Sequence, residues 1–70
     1  MLWWFDRDGA KIRVEVLQLS TSDYELHIID AEGAEHVERF ADANALAKRQ
    51  QQIQDTLIAQ GWHGPSSWIV

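Results

Sequence analysis

The sequence predicts an α+β domain, a four-stranded antiparallel β-meander followed by one long α-helix packed on one face (ββββα). Three observations carry that prediction. Apolar residues alternate with charged ones from Lys11 to Leu19 and again from Tyr24 to Asp30, the period of two expected of half-buried strands. Short clusters of Asp, Gly, Ser and Thr separate the apolar segments. From Ala43 to Gln60 the period changes to three and four, without a glycine or a proline.

The first strand carries Trp3, Trp4 and Phe5, bulky aromatics suited to a pleated surface, and ends near Arg7 because Asp8-Gly9 supplies the positive φ angles of a tight hairpin. The second sets Ile12, Val14 and Val16 on one face and Lys11, Arg13 and Glu15 on the other. Ser20-Thr21-Ser22-Asp23 then turns the chain, since such short polar side chains bond locally to the backbone. The third strand directs Tyr24, Leu26 and Ile28 to the core and Glu25, His27 and Ile29 away from it, and Asp30-Ala31-Glu32-Gly33 closes it. In the fourth, Glu35 to Phe40, Val37 and Phe40 fall on opposite faces if the strand is regular. A bulge or an early end near Arg39 would reconcile them.

Asp42 is suited to cap the helix, because its carboxylate accepts orphan amide hydrogens and opposes the positive end of the helix dipole. Ala43, Leu46, Ala47, Gln50, Ile53, Leu57 and Ile58 form the sheet-facing stripe, with Lys48, Arg49, Gln52 and Asp55 toward water. Gly61 fits the left-handed position after the helix, with Trp62 folding back over Leu57. His63-Gly64-Pro65-Ser66-Ser67 follows as a connector to an apolar end, Trp68-Ile69-Val70. Residues 1–62 thus form a single domain and residues 63–70 a tail that packs on the sheet or on a partner chain.

Composition narrows the function classes. Seventy residues build one core, and a domain near this size buries only about 60% of its unfolded surface. Without cysteine there is neither a disulfide framework nor a thiolate metal site, so packing or a partner chain must hold the fold. A net charge of −5 opposes the approach of a phosphate backbone. The longest uncharged run, Thr56 to Val70, is too polar to span a bilayer, and the start lacks the basic lead and long apolar core of a signal peptide. The expectation is a soluble, cytoplasmic protein.

The tryptophans are the most unusual feature. Trp3 and Trp4 are consecutive in a strand and must face opposite sides of the sheet, so one indole lies outside the helix-covered core. Leu17, Leu19 and Ile29 share that outer face with Lys11, Arg13 and Glu15, and apolar patches of this kind mark partner surfaces. The expected interface residues are Trp3, Trp4, Leu17, Ile29, Trp68 and Ile69. The competing explanation is that the C-terminal segment folds back over the same patch within one chain.

Other chemistry is weakly supported. An outward tryptophan beside Arg7, Lys11 and Arg13 could stack on nucleic-acid bases, but Asp6, Asp8, Glu15 and Glu25 share the neighbourhood. His27, His36 and His63 lack metal-ligand spacing. The acidic turns beginning at Asp6 and Asp30 resemble calcium loops only faintly, because the closing Glu is replaced by Leu17 or Ala41. His63 lies near Ser66 and Ser67, but no third group is visible to orient it. Glu32, Glu35 and Glu38 fit a solvated charge run. The sequence therefore predicts a non-catalytic protein-interaction module without a cofactor, self-associating as a homodimer or docking onto a partner protein. The alternative is a weak single-stranded nucleic-acid binder using an exposed tryptophan.

Overall fold

Asp8 and Gly9 adopt φ angles of 51° and 83°, so the first turn has the doubly positive backbone that matches strand twist and folds β2 (Ala10–Ser20) onto β1 (Leu2–Arg7). Met1 and Val16 extend that ladder by exchanging two backbone hydrogen bonds. The Ser20 hydroxyl donates to the Asp23 carboxylate at 3.0 Å and fixes the next turn, which opens β3 (Asp23–Ile29). Asp30 Oδ1 accepts from the amides of Glu32 and Ala34, closing the third turn before β4 (Glu35–Phe40). That carboxylate completes a hairpin.

The computed structural model describes residues 1–67. It corrects the expected ββββα arrangement in one respect: after helix α1 (Ala43–Ala59) the chain forms β5 (His63–Ser67), giving a five-stranded antiparallel sheet in the order β4-β3-β2-β1-β5. The segment expected as a connector is therefore a strand. Pro65 lacks an amide donor but is tolerated here because β5 is an edge strand. Gly64 is required by close approach, since a Cβ there would lie 2.8 Å from the Trp4 carbonyl oxygen and 2.9 Å from the Phe5 ring.

Core packing follows the alternation. Phe5, Val14 and Leu26 are completely buried, facing Leu46, Ile53 and Leu57 of the helix together with Trp62. Trp3, Ile12, Val16, Tyr24, Ile28 and Phe40 pack around them. The β3–β4 ladder runs without a shift from Tyr24–Phe40 to Ile29–Glu35, so neither the bulge nor the early end expected near Arg39 occurs. Phe40 packs inward, whereas Val37 faces outward and is 43% exposed.

Asp42 caps α1 as expected, accepting from the Asn44 amide at 2.9 Å. At the other end the Gly61 amide donates to the Ile58 carbonyl and the Trp62 amide to the Leu57 carbonyl, the paired bonds of a Schellman motif. Gly61 has φ 89°, a conformation that a side chain disfavours. The buried stripe is narrower than expected: Leu46, Ile53 and Leu57 are buried, but Ala43 and Ala47 are exposed and Ile58 is 48% exposed. Arg49, expected in water, is half-buried because it reaches β4 and grips Glu38 through Nε and Nη2 at 2.8–3.2 Å.

Candidate protein interface on the outer sheet face

The helix covers one side of the sheet, and the register defines the other. Opposed residues share a face, so Leu2–Glu15, Trp4–Arg13–Ile29–Glu35, His27–Val37 and Leu17–Glu25–Arg39 all project away from the helix. Trp4 is thus the outward member of the tryptophan pair. Trp3, also expected in the interface, instead faces Val14 and packs against the core. Leu17 and Ile29 occupy the outer face as alternation predicts, with Leu17 37% exposed and Ile29 half-buried. Trp68 and Ile69 lie outside the described residues.

Two apolar residues missed by the sequence argument join this surface. Leu2 shares the Trp4 side of β1, a placement that alternation from Trp4 alone implies. Val37 was obscured by its conflict with Phe40. Leu19, at the end of β2 that extends past β1, is 49% exposed. Leu2, Trp4, Lys11, Arg13 and Ile29 border a concavity of about 560 Å3 beside the Asp8-Gly9 and Asp30–Gly33 turns. Lys11 Nζ stands 5.7 Å from the centre of the Trp4 ring, a cation on an aromatic face.

The centre of β3 carries the main electrostatic feature of this face. His27 Nε2 lies 3.0 Å from Glu25 Oε1 and its Nδ1 lies 3.1 Å from Glu35 Oε2. Two ionised carboxylates can both accept only if both ring nitrogens carry hydrogen. The hydrogen bond to Glu25, followed by that to Glu35, therefore raises the His27 pKa above its ordinary 6.5, against an opposing effect of partial desolvation. Arg39 approaches the second oxygen of Glu25 at 3.7 Å. These charges neutralise one another along β3 and β4.

His36 Nε2 meets Glu38 Oε2 at 2.9 Å on the opposite side of the sheet, where Glu38 also binds Arg49. The Arg49 hydrogen bonds, assisted by His36, lower the Glu38 pKa despite partial desolvation. Arg7 is occupied as well: its guanidinium lies 4.6 Å from the centre of the Trp62 ring and donates to the Gln60 carbonyl at 2.7 Å. It therefore locks the helix end to β1, away from the outer platform. His63 forms no hydrogen bond with Ser66 or Ser67 among the described residues, and no group of three His, Asp or Glu there has a metal-holding arrangement. No helix among them is long and apolar enough to cross a membrane.

What the outer face presents chemically is a mixed apolar and charged platform. No protein-family model matches the chain, and neither a curated protein nor a solved structure matches it.

Proposed function

We propose that this domain is a non-catalytic interaction module that self-associates through its outer sheet face. The supporting observation is the distribution of apolar side chains: Leu2, Trp4, Leu17, Ile29 and Val37 lie on the side of the sheet that the helix leaves uncovered. Covering such a patch with a second protein surface removes apolar area from water. A small core without cysteine gives that gain added weight in the stability of the fold. Trp68 and Ile69 belong to the same proposed interface by sequence.

Size-exclusion chromatography with light scattering across a concentration series tests this function. The expected mass rises to twice the 8.1 kDa chain mass as concentration increases. A single-chain mass throughout would remove the proposal.

A second function is favoured by one specific arrangement, the Trp4 indole bordering a concavity with Lys11 and Arg13. A base could stack there while the two cations meet phosphate, although Asp6 lies directly opposite Lys11 and the whole chain carries −5. Quenching of tryptophan fluorescence by oligonucleotides at low salt supports this function, and an unchanged spectrum excludes it.

A further inference from the structure

We propose that two copies of this chain pack outer face to outer face about a two-fold axis crossing β2 at Val14, at right angles to the strand, so that Arg13 of each copy meets Glu15 of the other. This geometry rests on the self-association proposed above and specifies its contacts. β2 is the middle strand of the sheet, and Arg13 and Glu15 flank Val14 on its outer side. Among the described residues neither side chain has an ion pair or a hydrogen bond, whereas Glu25, His27, Glu35 and Arg39 engage one another. Arg13 and Glu15 thus place one unmatched cation and one unmatched anion at the centre of the face, about 7 Å apart along the strand.

Any surface that covers β2 must match both charges, because a charge left buried and unpaired loses its hydration without a compensating partner. It needs an anion over Arg13 and a cation over Glu15, at two-residue spacing. A half-turn of the same face supplies that pattern. Rotation about the stated axis reverses strand direction but keeps each strand above its own copy, so the row containing Trp4, Arg13 and Ile29 meets the row containing Leu2, Glu15 and His27. Trp4 is thereby brought onto Leu2 of the other copy twice, and both charge pairs are satisfied. Such reciprocity is the defining property of a two-fold interface.

The test uses Arg13→Glu, Glu15→Arg and the doubly exchanged chain R13E/E15R, followed by sedimentation equilibrium and circular dichroism. Either single exchange places like charges opposite one another at two symmetry-related points. Each is expected to weaken dimerisation about tenfold or more while the circular dichroism remains that of the parent. An equal mixture of the two single variants is expected to recover a mixed dimer of near-parental affinity, because glutamates at both positions then face arginines. The doubly exchanged chain is expected to self-associate again. A single variant that dimerises like the parent, or folded variants whose mixture does not recover association, overturns the proposed geometry. A parent chain that remains single overturns self-association itself and the geometry with it.

Discussion

Replacing Trp4 by Ser separates the role of the outer face from that of the core. Trp4 points away from the helix and is half-buried in the lone chain, leaving roughly 60 Å2 of its indole accessible. At about 25 cal/mol per Å2, covering that area contributes about 1.5 kcal/mol per copy, or about 3 kcal/mol for the two copies of a dimer. W4S should therefore raise the dimer Kd about 100-fold. Its cost to the fold should be near 1 kcal/mol, arising from the lost Lys11 contact and lost packing on the sheet. Trp3→Ser is the contrasting perturbation, because Trp3 packs against the Phe5–Val14–Leu26 core and should lose about 2 kcal/mol of folding stability. Sedimentation equilibrium gives the Kd and urea unfolding gives the stability. A folded W4S chain that associates within twofold of the parent would refute this use of the outer face.

Other perturbations address the framework and its charges. Gly61→Ala should cost about 1–2 kcal/mol in urea unfolding, because φ 89° is disfavoured by a side chain; the nearest atom to the added Cβ, Arg7 Cδ at 3.8 Å, makes only ordinary contact. Arg49→Ala should cost about 0.5–1 kcal/mol at pH 7, a discounted value because the guanidinium is partly solvated. Since the Glu38 pKa is lowered, the Arg49–Glu38 contribution is present above the ordinary carboxylate value of 4.5 and disappears as pH falls through the lower folded-state value; the two unfolding curves should converge there. His27 has the reverse sign. Its raised pKa makes its contribution fully present below 6.5 and lost as pH rises through the folded-state value, so the thermal midpoint should fall over that interval in the parent and change less in His27→Gln. An NMR titration with a His27 midpoint at or below 6.5 would contradict the Glu25–His27–Glu35 geometry.

The local elements were legible because short-range chemistry specifies them. Asp8-Gly9 encodes a hairpin, Asp42 and Gly61 encode helix ends, and alternation places Val14 inside and Arg13 outside. β5 was not legible, since His63-Gly64-Pro65-Ser66-Ser67 has no apolar alternation and two residues depleted in strands. It is a strand because β1 offers an open edge and Gly64 allows the backbones to approach. Arg49 was misplaced for a related reason, as Glu38 lies eleven residues away and only tertiary packing brings them together. Ile58 follows Leu57 around the helix and loses the competition for the narrow contact with the sheet.

For the candidate site, alternation identified Leu17 and Ile29 and required that Trp3 and Trp4 separate, but the direction of each indole depended on pairing with β2. The concavity beside Trp4 joins residues from β1, β2 and two turns, so it depends on the relative placement of hairpins and has no sequence signature.

Isotope-filtered nuclear Overhauser spectroscopy on an equal mixture of labelled and unlabelled chains probes the outer face most directly. Cross-peaks between copies should involve Leu2, Trp4, Leu17, Ile29 and Val37, with the Trp4 indole close to Leu2 methyl groups. Cross-peaks confined to the helix surface around Ile58, or none at concentrations where light scattering detects a dimer, would contradict burial of this face by a second copy.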